Sequence, residues 1–202
     1  TISTVDINAG TIDGVTLGTN SAITQAIIDN VNYLSASDLN LDAQHDGVVT
    51  AVTAGAGVAR GRAGVAIAGS VSVNLLDYDV KASIDNVGDG VSGTLDADVG
   101  AVTLSAKDAS VVVMVAGAGS YGGKVGIGAG IGFSSIKNTV SSSIDNVESI
   151  SSDQINVKAH NSASVVSVVG AGGVSRGVSS FGIAGTFAMN ELGSTVSAGI
   201  LN

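Results

Sequence analysis

The stretch VAIAGSVSVN, residues 65–74, recurs as VGIGAGIGFS at 125–134 and as FGIAGTFAMN at 181–190. In each copy the odd-numbered positions are mostly large and apolar, whereas the first four even-numbered positions are Gly, Ala, Ser or Thr. A period of two is typical of a β-strand, and here the two faces of the strand differ. We predict that the large face fills a core. The small face would let a second sheet approach closely.

These three stretches belong to a longer repeat. An Ile-Asp-Asn motif marks each unit, and its isoleucines are spaced 56, 60 and 56 residues apart, at Ile28, Ile84, Ile144 and, in a degenerate copy, Ile200. Each full unit also has a short alternating segment, at 39–43, 102–106 and 155–159. An apolar run that ends in glycines follows it, at 48–57, 111–119 and 165–173. This run is apolar on both faces, so we expect it to be covered on both sides.

Equivalent positions of successive repeats carry similar residues, and this similarity predicts how the repeats pack. If the repeats stack parallel and in register, each strand pairs with its own counterpart. The sequence therefore predicts an all-β fold, a parallel β-solenoid (β-helix) of about three repeats of 56–60 residues over 26–202. An antiparallel stack of hairpins, made from the apolar run and the strand after it, stays open as the alternative.

The N-terminal part differs from the rest. Residues 1–25 contain two decapeptides that align with each other, and we predict that they form a junction. Residues 21–34 fit two structures equally well. Their apolar spacing suits a helix opened by a polar cap, whereas the match to the Ile-Asp-Asn motif suits a strand.

The composition restricts the class of protein. The chain has 202 residues, a formal net charge of −9, 29 Gly, no Pro and no Cys. An acidic surface argues against nucleic-acid binding, and the lack of Cys excludes a disulfide scaffold or a thiolate metal site. No apolar run reaches the ~18 residues of a membrane helix, so we expect no membrane span. The chain starts without a leader and stops within the repeat, so we expect it to be a piece of a longer protein.

Several segments resemble a known class of repeat. GIGAGIGF (126–133), NTVSSSIDN (138–146) and INVKA (155–159), with the valine runs and glycine clusters, resemble repeats of giant bacterial filamentous adhesins of the haemagglutinin and leukotoxin type. TIDGVTLG (11–18) is similar to short repeats of phage tail fibres and bacterial surface proteins. The resemblance implies a secreted, cell-surface protein with a β-helical stalk that serves adhesion to a host-cell or matrix surface.

Two other functions stay open. One is a self-assembling subunit of an extracellular filament or phage fibre, with self-association through the small-residue strand faces. The other is a β-helical polysaccharide-degrading enzyme, which needs paired acids and aromatic sugar platforms. The three tyrosines do not cluster in the sequence, so we expect no enzyme activity.

Two sets of charged residues are candidate sites. Calcium binds six to eight oxygens, and four acidic residues lie around an enlarged loop, Asp85, Asp89, Asp96 and Asp98. They show neither EF-hand nor calcium-roll spacing, so we expect no cofactor, with calcium as the minor alternative. Four basic residues fall in one turn of successive repeats, Arg60, Arg62, Lys124 and Arg176. We expect a solvated turn that blocks edge pairing; the alternative is a basic ridge for an anionic glycan or for an acidic edge of a neighbouring fibre.

The remaining polar candidates have structural interpretations. Asp29, Asp85 and Asp145 each precede an Asn, and we expect an Asx turn at a corner rather than a row of ligands. His45 and His160 fall in equivalent turns, and we expect both on the surface.

Overall fold

The structure is a computed structural model that describes residues 17–31, 38–60, 64–87, 94–96, 101–147 and 149–201. Within these residues the chain forms twelve strands: β1 (Leu17–Val31), β2 (Leu39–His45), β3 (Val48–Ala59), β4 (Val65–Val87), β5 (Thr94–Asp96), β6 (Val102–Asp108), β7 (Val111–Gly122), β8 (Val125–Val147), β9 (Ser149–Ser151), β10 (Ile155–Asn161), β11 (Ser164–Ser175) and β12 (Phe181–Leu201). No helix in the described part of the chain is long and apolar enough to cross a membrane.

The repeats stack as a parallel β-solenoid. One sheet has the order β1-β4-β8-β12, and two three-stranded sheets have the orders β2-β6-β10 and β3-β7-β11. Every recorded pairing is parallel, and equivalent residues lie side by side, as Val65, Val125 and Phe181 do. The predicted solenoid is therefore confirmed, and the antiparallel stack of hairpins is wrong.

The strand boundaries extend those of the repeat motifs. In β4 and β8 the alternating stretch and the Ile-Asp-Asn motif form one strand of 23 residues. The segment that suited either a helix or a strand is β1 as far as Val31, and its last three residues lie outside the described ones. Residues 1–16 of the predicted junction also lie outside, whereas 17–25 already pair with β4. The boundary at residue 25 stays a prediction.

The long sheet is covered on one side by the two shorter ones, which follow each other along the chain. Sheet β2-β6-β10 lies over the second half of β4 and β8, and encloses a core that includes Leu41, Leu104, Ile84 and Ile144. Sheet β3-β7-β11 lies over the first half, and a second core there includes Val112 and Ile136. Each rung of the solenoid is thus a flattened loop with two small cores.

The orientation of the alternating strands reverses one prediction. The small residues face inward: Ala66 is 4% exposed and Ser72 is 2% exposed. A Cβ added at Gly128 would lie 2.5 Å from the carbonyl oxygen of Gly172 in β11. The predicted close approach of a second sheet is therefore present. The prediction that the large face fills a core is wrong, because Ile67 on that face is 69% exposed.

The physical reason for this reversal is the width of the gap. Where two backbones approach this closely, no layer of Val, Ile or Phe side chains fits between them, so the large residues point outward. The apolar run was also predicted to be covered on both sides, and this is wrong for the described residues. Val52 in β3 is 53% exposed and Val168 in β11 is 56% exposed on the outer face.

Candidate functional site

The most conspicuous surface feature is a continuous apolar area on the long sheet. We call it the apolar strip and define it as the outward side chains in the first halves of β4, β8 and β12. These side chains form five rows across the sheet: Val65, Val125 and Phe181; Ile67, Ile127 and Ile183; Gly69, Ala129 and Gly185; Val71, Ile131 and Phe187; Val73, Phe133 and Met189. No charged residue occurs within 65–76, 125–136 or 181–190. Contiguous exposed apolar areas on soluble proteins usually mark a contact site.

The strip has a groove along its middle. At Gly185 an added Cβ would meet nothing within 4 Å, and at Gly69 it would meet only a carbonyl oxygen at 3.9 Å. The row of Gly69, Ala129 and Gly185 therefore forms a low floor. The rows on either side are bulky and lie about 6.7 Å from the floor, two residues along each strand. The result is a groove between two ridges that runs along the stacking direction.

The two margins of the strip carry opposite charges. At its beginning lie the turns with the basic residues Arg60, Lys124 and Arg176, all exposed. Arg62 lies outside the described residues. Arg60, Lys124 and Arg176 therefore lie in the connections between equivalent strands, whereas the ridge for an anionic glycan stays a prediction.

At its other end the strip meets exposed acidic residues. Glu191 and Asp77 are exposed there, and Asp79 is half-buried. Lys137 lies beside Asp77 in the sheet. The carboxylate of Glu191 accepts a hydrogen bond from Ser135 Oγ at 3.3 Å, which holds it over the adjacent strand β8.

The corner at the end of the long strands is held by a ladder of side chains. Asn86 and Asn146 have positive φ values of 54° and 52°, a conformation that Asn tolerates better than most residues. Asn146 Nδ2 donates to Asn86 Oδ1 at 2.7 Å, and Asn86 Nδ2 donates to Asp29 Oδ1 at 2.8 Å. These bonds run between rungs, so the repeated Asp-Asn pair stabilises the corner by linking neighbouring repeats.

The calcium candidates are only partly described. The carboxylate of Asp85 binds Lys81 Nζ at 2.9 Å and Ser83 Oγ at 2.8 Å. Asp89 and Asp98 lie outside the described residues, as does the side chain of Asp96. Among the side chains that the structure places, no three of His, Cys, Asp or Glu converge as a metal site requires. The expectation of no metal stays a prediction.

A buried polar cluster lies between the two cores, and the sequence interpretation missed it. His45 is only 4% exposed, so its predicted surface position is wrong, whereas His160 is exposed. In β2 the inward positions are Leu39, Leu41, Ala43 and His45. The alternation of β2 therefore indicated that His45 is buried, because His45 is in phase with the leucines. His160 is one residue out of phase with His45 in the paired strands.

The cluster joins His45 to residues from three other strands and a turn. The His45 and Tyr78 rings lie 4.4 Å apart between centroids. Asp108 stands beside His45 in the sheet, accepts hydrogen bonds from Ser110 N at 3.2 Å and Ser110 Oγ at 3.1 Å, and is also bonded by Asn138 Nδ2. Three buried polar atoms there have no hydrogen-bond partner among the residues that the structure describes, namely His45 Nε2, Tyr78 OH and Asn138 Oδ1.

Burial determines the electrostatics of this cluster. Burial, with the negative charge of Asp108 as a second cause, raises the pKa of Tyr78 to about 12. Burial also raises the pKa of Asp108, against the opposing effects of Ser110, His45 and Asn138. In the next rung the place of Asp108 is taken by Asn161, which makes the same Asx turn by accepting a hydrogen bond from Ala163 N at 2.8 Å. The turn therefore does not require the charge that Asp108 brings.

Comparisons with known proteins find no match for this chain among protein-family models, curated proteins or solved structures.

Proposed function

We propose that this chain is a structural segment of a large secreted bacterial surface protein, and that it forms part of a stalk or fibre which presents or mediates adhesion. The observation that carries the proposal is the in-register parallel stacking of successive repeats. Each rung adds about 4.8 Å along one axis, and its neighbours bury it. Such an array can be extended by adding rungs without changing the fold. It is suited to spanning distance and bearing load.

The described contacts fit a load-bearing role. Neighbouring rungs are joined by continuous ladders of backbone hydrogen bonds, as along the 21 paired positions of β8 and β12, and by the side-chain ladder at the corner. A pull along the stacking axis loads many such bonds in each rung. The first and last described strands also lie at opposite edges of the long sheet.

Single-molecule force spectroscopy with handles at the two ends tests this function. We expect successive rupture events that each release one repeat of 56–60 residues, which corresponds to about 200 Å of extended chain. Release of the whole chain in a single event at low force would argue against a stalk.

The adhesive part of the proposal needs its own assay. Beads coated with the chain are tested on epithelial cells and on immobilised heparin, an anionic glycan. If the basic turns form a ridge for anionic glycans, replacing Arg60, Lys124 and Arg176 by Ala will abolish retention on heparin at physiological salt. Unchanged retention would exclude this ridge as the site. Absence of any binding would leave the chain as a stalk alone.

A subunit of a self-assembling extracellular filament is the second candidate. The exposed apolar strip favours a filament subunit, because a stalk that acts as a single chain does not require an uncharged outer surface. In that case the chain forms ordered filaments by itself at high concentration, which electron microscopy detects. The predicted association through small-residue faces does not fit β4 and β8, whose small residues are buried inside the rung; the small residues of β12, at the end of the described stack, are exposed.

A further inference from the structure

We propose that two copies of this chain associate face to face through their apolar strips, about a two-fold axis parallel to the stacking direction of the rungs. This goes beyond the proposed stalk function, since a stalk bears load as a single chain. In this arrangement the two solenoids lie side by side and point the same way. Their facing strands run in opposite directions, and equal rungs lie at equal height.

The first argument is the shape of the apolar strip, a groove between two ridges. With the axis at the level of Gly130, the ridge residue Ile131 of each copy enters the groove of the other copy at Ala129. The rows of Ile127 and Phe133 then face each other in the same manner. Both copies have the same strand spacing of about 4.8 Å, so the fit repeats at every rung. A surface without this repeat would match one rung and miss the next.

The second argument is charge complementarity. The same rotation brings Lys124, at the basic margin of one copy, opposite Ile136 of the other, where the neighbouring outward residues are Ser135 and Lys137. The carboxylate of Glu191 is held at that point by its hydrogen bond from Ser135. If the strands of the two copies ran in the same direction, basic turn would face basic turn. Besides Lys137, the margin at Ser135 carries Asp77, Asp79 and Glu191, so the net charges of the two margins favour a second copy in one orientation. The acyl chains of a lipid would cover the strip, but they carry no charged groups that could pair with its charged margins.

The size of the strip sets the strength of the contact. Nine residues of each strand at about 3.3 Å, across three strands about 4.8 Å apart, give roughly 400 Å². A standard stable interface buries about 800 Å² on each partner. We therefore expect reversible association of this chain at high micromolar concentration, and tighter association for arrays with more rungs.

Sedimentation equilibrium up to millimolar concentration tests the contact. The decisive variant is Ala129→Leu, which fills the groove but adds apolar surface. Groove-and-ridge packing predicts association weakened about tenfold by the overpacking, and restored by the double change Ala129→Leu with Ile131→Ala, which exchanges groove and ridge. The matched control is Thr139→Leu, an exposed outward position farther along the same strand, which should leave association unchanged.

Cross-linking tests the orientation independently of these variants. The chain has no Cys, so Ile127→Cys and Phe133→Cys introduce single thiols. A short bismaleimide should link an equimolar mixture of the two variants efficiently and each variant alone poorly, because like positions lie about 20 Å apart along the strands.

Four outcomes would overturn the proposal. They are a monomer at millimolar concentration, stronger association of Ala129→Leu, equal cross-linking of Ile127→Cys alone and in the mixture, and binding to phosphatidylcholine vesicles without self-association. None of these outcomes alters the force-extension result that tests the stalk function.

Discussion

The close approach of two sheets at Gly128 makes this glycine an informative position to change. An ideal Cβ at Gly128 would lie 2.5 Å from Gly172 O and 3.1 Å from Ala118 O. Both acceptors are backbone atoms of paired strands, so neither can swing aside. The sheets would have to separate locally by about 0.9 Å to restore an ordinary contact of 3.4 Å.

The expected magnitude follows from two opposing effects. Overpacking of a tight interior costs about 1–3 kcal/mol, and a rigid backbone contact places Gly128→Ala toward the upper end. Replacing Gly by Ala in a strand gains about 0.5–1 kcal/mol through the unfolded state. The net loss of unfolding free energy should be about 1–2 kcal/mol, and Gly128→Leu should lose considerably more.

Gly117 supplies the matched control. It lies in β7 on the outer face, and a Cβ added there meets nothing within 4 Å. Gly117→Ala should therefore raise the unfolding free energy by about 0.5–1 kcal/mol. Urea unfolding, with midpoint and slope fitted for each variant, measures both changes. The packing argument fails if Gly128→Ala is as stable as the parent chain, or if the two substitutions shift the midpoint in the same direction.

Three further predictions concern the polar sites. Because the pKa of Tyr78 is raised to about 12 from 10.0, its contribution to stability is fully present below pH 10 and is lost as the pH rises to 12. Tyr78→Phe should therefore remove about 2 kcal/mol of the destabilisation between pH 9 and 11.5, which urea unfolding at these two pH values will measure. Because the pKa of Asp108 is raised, its contribution to stability is present in acid and is lost as the pH rises through that pKa. Asp108→Asn should therefore stabilise the chain at pH 7 and have little effect near pH 4. Equal effects of the substitution on the unfolding free energy at the two pH values would contradict this. Addition of a calcium chelator should leave the melting temperature unchanged, and a drop of many degrees would instead indicate a bound ion that stabilises the fold.

Much of the fold could be predicted from the repeat alone. The recurrence of Ile84 and Ile144 at matching places predicted parallel stacking, because only in-register pairing brings like residues side by side. The small residues at 126, 128, 130 and 132 predicted a close approach of two sheets, because glycine in a strand has a cost that tight packing explains.

Two features of the candidate sites were not predicted from the sequence. The position of Asp108 beside Tyr78 depends on which strand covers which half of the long sheet, and no local pattern encodes that. The burial of His45, by contrast, was encoded in the alternation of β2 and was missed because its turn was compared with that of His160. One step of register separates a core position from a surface position.

The sequence by itself determined the period of the repeat, the pairing of like with like, and the presence of one large and one small face on each long strand. Only the tertiary structure decided which face points inward. An alternating pattern is symmetric with respect to inside and outside, and large apolar residues would ordinarily be assigned to the core. Here the covering sheet approaches until backbone meets backbone, so the small residues fill the interior. Val, Ile and Phe are left on the outside, as a surface that a second copy of the chain can cover.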